Sequence, residues 1–386
     1  MVNPHQQDCG YPYKELCGAG VAWNVIRVLY ENYDMDKREA EDLLDFVAMA
    51  TVCDVMSLTG ENRILVKEGL KRIRHTKNIG LQALMQACNV QPENISAYHF
   101  GYVLGPCVNA TGRLDTARHA LRLFETGQET EAEEIARDLV DLNQERKELT
   151  LQGVEMAKKL CEEGGYENDP VLVLFLPDVH ESIAGLIAGR IREMYNRPVF
   201  VLTRGEEGVK GSGRSTENYS MYENMCGCVE LFTKFGGHPM AAGLSLPTEN
   251  IDLFRAKLNR QQTLTEKELT PVTWIDVPMP VSYASKKLVE QLRVLEPFGK
   301  GNEKPVFADR KLTVRSANMI GKNKNVLKMQ LEDTQGHVVD AIQFKVEEED
   351  MPLRGKEISI VYYPDINEFR GNQTLQFIVQ EWCYTT

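Results

Sequence analysis

The stretch from residue 129 to residue 163 constrains the fold of this chain more than any other. Nearly half of its residues are charged, and apolar residues recur between them at steps of three and four: Ala132, Ile135, Leu139, Leu142, Leu149, Met156 and Leu160. This spacing predicts one amphipathic helix that ends at the glycine pair of residues 164–165, and at about 1.5 Å per residue it spans about 50 Å. Such a helix either packs along one domain surface or joins two lobes. Because the composition changes on either side of it, we expect a rigid connector over residues 128–165.

Residues 1–127 are predicted to be mostly helical. Apolar periodicity indicates helices at residues 17–30, 39–53, 62–74 and 80–88, followed by a loop with the sequence VNATGRLDTA. The first residues contain Asn-Pro and Gly-Tyr-Pro turns and no strand before them. We therefore expect this region to be the second half of an α/β domain whose beginning is missing.

The region after the connector is predicted to contain an α/β part followed by an all-β part. Residues 171–176 (VLVLFL) and the run PVFVLT predict two strands, and the helix ESIAGLIAGRIREMY between them favours a parallel pair. Further helices are predicted at residues 221–235 and 250–262. Beyond Pro271, five alternating runs separated by turn residues predict a small closed β-barrel of the OB type.

Composition limits the class of protein. The chain has 386 residues, of which 42% are apolar and 26% charged, so two or three packed domains are expected. The nine cysteines are odd in number and form no CxxC pair, which argues against a disulfide framework or a zinc ribbon. Together with the lack of a signal-peptide pattern, this predicts reduced thiols and a cytoplasmic protein. The net charge of −12 argues against a general nucleic-acid coat protein, but a local basic channel remains compatible with it.

Two clusters in the first region contain candidate catalytic residues. Asp54 ends the apolar run of ATVCDVMSL, where it is either a metal ligand or an ordinary helix-end residue. Asn109 and Arg113 lie in GPCVNATGRLDTA, where a guanidinium is able to grip a phosphate or orient an acidic ligand. A plain surface loop is the alternative for the second cluster.

Two later clusters have the character of phosphate-binding segments. In KGSGRS, glycines let the backbone approach an anion, and Ser212, Arg214 and Ser215 offer donors to it. In FGGHPMAAG, the glycines of residues 236–237 precede His238, which is able to donate to a phosphate or to stack on a base. A satisfied core histidine is the alternative for His238.

In this order, the clusters resemble the RecJ members of the DHH phosphoesterase superfamily. NPHQQDCGYPYKELCGAGVAW resembles the segment after that family's DHH motif, ATVCDVMSL its late aspartate motif, and CVNATGRL its NAxGR loop. PDVHESIAGLIAGRI resembles the start of the DHHA1 lobe, with Val179 in place of the usual Trp and His180 retained. GSGRS and GGHPMAAG resemble the two substrate-gripping motifs, and LEPFGKGNEKPVF the linker that leads into the OB domain.

The resemblance implies an α/β fold in four parts. Residues 1–127 correspond to the C-terminal part of a DHH domain and residues 128–165 to the long connector helix. Residues 166–265 correspond to a DHHA1 lobe with a mixed sheet, and residues 266–386 to an OB-fold barrel.

The resemblance also implies a 5′-to-3′ single-stranded-DNA exonuclease of DNA recombination and repair, which uses two Mn²⁺ or Mg²⁺ ions. Asp54, Asn109 and Arg113 then match catalytic positions, and Asp54 is the metal ligand. The phosphate-binding positions are His180, Ser212, Gly213, Arg214, Ser215, Gly236, Gly237 and His238. The DNA-guiding positions are Lys300, Lys304, Arg310, Lys311, Lys322 and Lys324. The implied partners are single-stranded DNA, a single-strand-binding protein and a helicase.

One departure from the family limits this expectation. The sequence has no DxD motif followed by a DHH motif, although those motifs supply most of the family's metal ligands. Little or no nuclease activity is therefore expected of the isolated chain. A non-catalytic single-strand-binding module is the first alternative. A hydrolase of short oligonucleotides or small phosphoesters is the second, although the OB region argues against it.

Overall fold

The computed structural model describes residues 2–114, 116–166, 168–206, 208–322, 324–369 and 371–385, without the side chains of Arg113, Leu114 and Phe369. The helices, in chain order, are α1 Gly18–Asn32, α2 Lys37–Asp42, α3 Leu44–Cys53, α4 Gly60–Arg72, α5 Ile79–Ala87, α6 Ala97–His99, α7 Gly105–Leu114, α8 Ala117–Glu125, α9 Glu129–Glu163, α10 Glu181–Tyr195, α11 Met221–Cys226, α12 Ile251–Gln261, α13 Glu266–Leu269 and α14 Lys286–Leu292. The strands are β1 Leu172–Phe175, β2 Val199–Arg204, β3 Val209–Arg214, β4 Lys234–His238, β5 Ala241–Leu246, β6 Val277–Pro278, β7 Phe307–Ile320, β8 Val326–Glu332, β9 Val338–Phe344, β10 Glu357–Phe369 and β11 Asn372–Tyr384.

The chain forms two compact units. The barrel unit contains Met1–His75, Ile95–Gly101 and Thr273–Thr386, and the sheet unit contains Thr76–Asn94 and Tyr102–Val272. Among the residues that the structure describes, none of the helices combines the length and the apolar character that crossing a bilayer requires.

In the barrel unit, the five long strands close on themselves. The order is β10-β11-β9-β8-β7, and β7 pairs again with β10. Inward side chains such as Leu312, Leu327, Tyr362 and Phe377 are fully buried in its core. This arrangement confirms the predicted OB-type barrel.

The helices of the barrel unit are tied to the segment that leads into the barrel. The Leu58 backbone N–H donates to the Lys300 carbonyl at 2.7 Å. An Arg63 guanidinium nitrogen donates to the Val294 and Leu295 carbonyls at 3.2 and 2.8 Å. At Gly299, a Cβ would lie 2.7 Å from Leu58, so this position has no room for a side chain. The segment LEPFGKGNEKPVF therefore anchors the loop after Asp54 to the barrel.

The sheet unit is built on a mixed sheet with the order β1-β2-β3-β5-β4. Strands β1 and β2 are parallel, as predicted, and the other neighbours are antiparallel. Helix α10 covers one face with Ile187 and Ile191, while Phe254 and Leu258 of α12 and Met221 of α11 pack on the other.

Helix α9 has the predicted bounds. Its first half buries Ala132 and Leu139 and packs on α5, α7 and α8. Its second half buries Val154 and Ala157 and packs on α10. It therefore joins the helical part of the sheet unit to the part that contains the sheet.

Three local predictions are wrong. The segment with Asn109 and Arg113 is not a loop but lies in α7, because burial of Cys107 and Ala110 outweighs the cost of about 1 kcal/mol for a helical glycine. Residues 39–53 form two helices that meet at Leu43. The predicted helix over residues 221–235 ends at Cys226, because residues 234–238 pair with β5 as strand β4.

Candidate phosphate and nucleic-acid site

Four of the eight predicted phosphate-binding residues, Ser212, Arg214, Gly236 and His238, lie on one open face of the sheet. KGSGRS lies in strand β3 except for its last residue, and GGHPMAAG forms the hairpin of β4 and β5. Residues paired across antiparallel strands point to the same face. The register therefore gives three rows across β3, β5 and β4: Lys210, Ser245 and Lys234; Ser212, Gly243 and Gly236; Arg214, Ala241 and His238.

The first two rows line a groove of about 520 Å³ beside the start of α10, and the row of Arg214 and His238 is the next one along the strands. Gly236 and Gly243 are paired with each other on its floor. A Cβ on Gly236 would meet no atom within 4 Å, and one on Gly243 would meet only a backbone oxygen at 4.0 Å. The fold itself therefore does not require glycine at these two positions, but a bulky group lying on the sheet would.

The other two glycines of the predicted site are explained by packing. A Cβ on Gly213 would lie 2.4 Å from the Met221 sulfur and 2.8 Å from the Phe200 ring. A Cβ on Gly237 would lie 2.5 Å from the Ala241 carbonyl oxygen. Their lack of a side chain serves the fold, whereas the open floor is provided by Gly236 and Gly243.

The groove carries more positive than negative charge, in contrast to the chain as a whole. Lys210 pairs with Glu181 at 2.6 Å, and this carboxylate raises the pKa of the lysine. Arg214 donates to the Gly213 carbonyl at 2.8 Å and lies against Gly185 of α10, where a Cβ would come 2.8 Å from its guanidinium. With Lys234 on the opposite wall, the groove offers cationic donors of the kind that bind phosphate.

The start of α10 adds polar groups to the edge of the groove. His180 is the N-cap residue, and its Nδ1 accepts from the Ser182 backbone N–H at 3.3 Å and lies 2.6 Å from the Ser182 hydroxyl. Because Nδ1 accepts, the ring proton of the neutral histidine lies on Nε2. His238 is exposed at the end of β4. Both histidines therefore have a ring edge available to a ligand.

Ser215 lies outside the groove. Its side chain is buried, and its hydroxyl donates to the Tyr219 carbonyl at 2.5 Å. In this position the hydroxyl holds the chain after β3 and is turned away from the open face.

Asp54 lies in the barrel unit, exposed at the C-cap of α3. The next residue, Val55, has a φ of 54° and is 62% exposed. The Val55 and Met56 N–H groups bond back to Val52 and Thr51 of the helix. A β-branched residue rarely adopts this left-handed conformation, and such strain concentrates at functional sites. Within the described ranges, no three His, Cys, Asp or Glu side chains are grouped to hold a metal ion.

Val55→Gly is expected to stabilise the chain by about 1 kcal/mol, because glycine adopts a positive φ without the steric cost that valine has there. The urea midpoint of unfolding should rise. Gly60→Ala, at the first residue of α4 after the same loop, is the matched control: Gly60 also has a positive φ of 46°, and a Cβ would lie 2.8 Å from Tyr13, so the midpoint should fall. An unchanged or lower midpoint for Val55→Gly would show that Val55 is not strained.

The remaining predicted catalytic residues lie on α7 in the sheet unit. Asn109 is exposed on this helix. Arg113 belongs to the same helix, but its side chain lies outside the described residues. Both backbone positions are fixed by the packing of α7 on α9.

The barrel carries a second candidate surface, where two of the predicted DNA-guiding lysines lie beside an apolar row that the sequence did not indicate. Strand register places Ile320, Val326 and Phe344 in one row on the outer face of β7, β8 and β9. Phe344 is 54% exposed, and Lys322 and Lys324 belong to the adjacent β7–β8 turn. Strands two and three of an OB barrel and the loop between the first two strands are its usual oligonucleotide-binding surface. An exposed aromatic ring and two lysines therefore lie where this fold binds nucleic acids.

The other predicted guiding residues are more dispersed. Lys304 lies over the Tyr363 ring at 4.4 Å, a contact that holds the lead-in segment to the barrel. Lys300 is exposed in that segment, and Arg310 and Lys311 are exposed in the first part of β7. Only Lys322 and Lys324 are thus placed beside the aromatic surface.

Comparisons with known proteins agree in one family. Residues 275–381 match the RecJ OB domain family and residues 168–263 match the DHHA1 domain family. The chain is 35% identical to the single-stranded-DNA-specific exonuclease RecJ of Haemophilus influenzae, and the match covers 98% of the chain and 69% of that protein. It is 33% identical to RecJ of Escherichia coli, with the same coverage, and 31% identical to RecJ of Bacillus subtilis, of which it spans 48%.

The same relationship is seen among solved structures. The crystal structure of RecJ from Thermus thermophilus in complex with Mn²⁺ superposes with a TM-score of 0.83 at 27% sequence identity. That match covers 99% of the present chain and 55% of the Thermus chain. A second structure of the Thermus protein, in complex with Mg²⁺, gives a TM-score of 0.81. The chain thus spans between about half and about two thirds of the relatives that it matches.

Proposed function

The chain belongs to the RecJ family of single-stranded-DNA-specific exonucleases, and from that premise we propose that its groove binds the 5′-terminal phosphate of single-stranded DNA. The observation that carries this proposal is the pair of glycines, Gly236 and Gly243, on the groove floor. They leave room on the sheet between the row of Lys210 and Lys234 and the row of Arg214. A phosphate there would receive charge-assisted hydrogen bonds, with Ser212 as a further donor.

The barrel guides the strand in this proposal. Phe344 offers a ring on which a base stacks, a contact worth about 1–3 kcal/mol, and Lys322 and Lys324 lie close to the backbone phosphates. Stacking accepts every base, so this surface would bind without sequence preference. These roles fit a nuclease that acts on single strands of any sequence.

Hydrolysis requires more than the described residues provide. The relatives' structures contain Mn²⁺ or Mg²⁺, and such ions take about six oxygen ligands each. Asp54 is the motif-matched carboxylate, yet no group of three potential ligands occurs in the described part of the chain. These residues by themselves do not fit a two-metal centre, and we derive no hydrolytic step from them. Asp54 is proposed as one ligand of such a centre.

The same observation favours a second candidate function, single-strand binding without turnover. The proposed binding uses only the groove and the barrel surface, whereas hydrolysis needs a set of metal ligands that the described residues do not group together. In either case a single-strand-binding protein and a helicase are proposed as partners, and a cytoplasmic location is proposed as well.

Arg214→Ala is expected to remove the preference for a 5′-phosphate. The unchanged chain should bind a 5′-phosphorylated oligonucleotide about tenfold more tightly than its 5′-hydroxyl form, since a hydrogen bond to a charged group is worth about 1.5–3 kcal/mol. In Arg214→Ala, fluorescence anisotropy should give nearly equal dissociation constants for the two oligonucleotides, because the phosphate has lost its bidentate partner.

Arg190→Ala is the matched control. Arg190 is an exposed cation of α10, outside the groove, so its loss changes the net charge equally. Arg190→Ala should weaken the binding of both oligonucleotides slightly and leave the ratio of their dissociation constants unchanged. If Arg214→Ala weakened the binding of both oligonucleotides by the same factor, Arg214 would attract the DNA backbone in general. The groove would then not be the 5′-phosphate site.

A further inference from the structure

Two thiols of the sheet unit lie in direct contact. Cys88 is the C-cap of α5, and its backbone N–H donates to the Leu84 carbonyl at 3.0 Å. Cys107 belongs to α7. The two Sγ atoms are 3.8 Å apart, although the residues are separated by the whole of α6 and the π-helical turn that follows it. The fold thus brings together two cysteines that no sequence motif connects.

The surroundings of Cys107 suit a reactive thiol. Cys107 is buried, and its sulfur accepts a hydrogen bond from Asn143 Nδ2 at 3.3 Å. Asn143 is itself buried in the apolar stripe of α9, and its Oδ1 accepts from Arg146 at 2.8 Å. The hydrogen bond from Cys88, the Asn143 amide and nearby cationic side chains lower the pKa of Cys107, against the raising effect of burial. Thiolate character of this kind is what makes a cysteine reactive.

Cys88 provides access for an oxidant. It is half-buried, whereas Cys107 is enclosed. The hydrogen bond to Cys107 and burial raise the pKa of Cys88, so Cys88 keeps its proton at rest. Either sulfur can be the donor in this contact, so the thiolate of Cys88 forms when its proton passes to Cys107. An oxidant in solution therefore meets Cys88, and the enclosed sulfur of Cys107 lies directly behind it.

We propose that Cys88 and Cys107 are a redox-active pair that hydrogen peroxide converts into a disulfide joining the end of α5 to α7. Cys88 Sγ attacks the peroxide, whose O–O bond breaks, and gives a sulfenic acid and one water. Cys107 Sγ then attacks the Cys88 sulfur, forms the S–S bond and expels hydroxide, which leaves with the remaining thiol proton as a second water. Two thiols and one peroxide thus yield one disulfide and two waters.

The structure allows the small movement that this step needs. The sulfurs must approach from 3.8 Å to about 2.05 Å. Cys88 is the last residue associated with α5, and Asn89 after it has a φ of 55°, so the helix has already ended there. A shift at this position leaves the hydrogen bonds in the body of α5 unchanged.

The pair is tested on the full chain with hydrogen peroxide. After native treatment and alkylation of the remaining thiols, non-reducing peptide mapping should show one peptide pair linked through Cys88 and Cys107. Both alkylated peptides should be lost together and return with dithiothreitol. The proposal is overturned if Cys88 and Cys107 stay separately alkylated at a peroxide concentration that oxidises Cys226, which is exposed and outside the pair.

Two serine variants test the order of the step. In Cys107→Ser the sulfenic acid of Cys88 has no resolving thiol, so dimedone should label Cys88, whereas the unchanged chain should show little label. Cys88→Ser lacks the accessible thiol that reacts with peroxide, so Cys107 should remain unoxidised and available for alkylation. Equal dimedone labelling of Cys88 with and without Cys107 would refute the pairing. Neither outcome depends on the proposed nuclease function, because neither involves DNA.

Discussion

The purified 386-residue chain, supplied with Mn²⁺, is expected to bind single-stranded DNA and to release essentially no nucleotides. Binding needs only the groove and the barrel surface. Hydrolysis needs metal ions that polarise the phosphate and activate water, and this assistance is worth several kcal/mol. Since each 1.4 kcal/mol is a tenfold change in rate, we expect turnover at least about 10⁴-fold below that of a RecJ relative with its complete ligand set.

Release of labelled nucleotides from a 5′-labelled oligonucleotide measures this turnover, and RecJ of Haemophilus influenzae is the positive control under the same conditions. Anisotropy on the same oligonucleotide shows that the chain is folded and binds. Asp54→Asn should change neither result. Mn²⁺-dependent release that disappears in Asp54→Asn would contradict the expectation, since Asp54 would then belong to a working metal centre.

The largest elements of the fold were predictable from the sequence. Helix α9 has the predicted bounds because its apolar stripe is long and glycines follow it, and helix α10 covers the segment that the sequence indicated. Strand β8 alternates between buried and exposed residues along its length, and β7 does so on either side of its bulge, where Leu312 and Val314 and then Ala317 and Met319 face the core. Such regular patterns are properties of a single element, so a single sequence contains them.

The errors arise where packing between elements decides the structure. The glycines of KGSGRS predict a backbone that an anion approaches, but at Gly211 and Gly213 Leu202 and Phe200 of β2 leave no room for a side chain. Ser215 matched a phosphate-binding motif, yet the chain turns its hydroxyl to the Tyr219 carbonyl. Phe344 was missed because its exposure follows only from the register of β8 and β9.

The candidate site was therefore predictable as a set of motifs and not as a surface. Sequence order indicated Arg214 and His238, but strand register adds Lys210, Lys234 and Gly243, which lie in the neighbouring rows of the same face. The strain at Val55 beside Asp54 is likewise invisible in the sequence, since valine is an ordinary residue until its φ is known.

Gly236→Val is expected to abolish binding of the 5′-phosphate without loss of stability. The new side chain would stand on the groove floor, where a Cβ meets no atom of the protein within 4 Å, and valine is favoured in strands. The space that it fills is the space proposed for the phosphate. Anisotropy should show the loss of the roughly tenfold preference that a hydrogen bond to a charged group provides, while the urea midpoint stays within experimental scatter.

Gly213→Ala is the matched substitution on the packed side of the same sheet. Its Cβ would lie 2.4 Å from the Met221 sulfur and within 3 Å of the Phe200 ring, so overpacking should cost about 1–3 kcal/mol. The two variants should therefore differ: Gly236→Val loses the 5′-phosphate preference and keeps its stability, whereas Gly213→Ala loses stability. If Gly236→Val were as destabilised as Gly213→Ala, the floor would be a packing surface. If Gly236→Val kept the full 5′-phosphate preference, the phosphate would bind elsewhere, and the glycine floor would need another explanation.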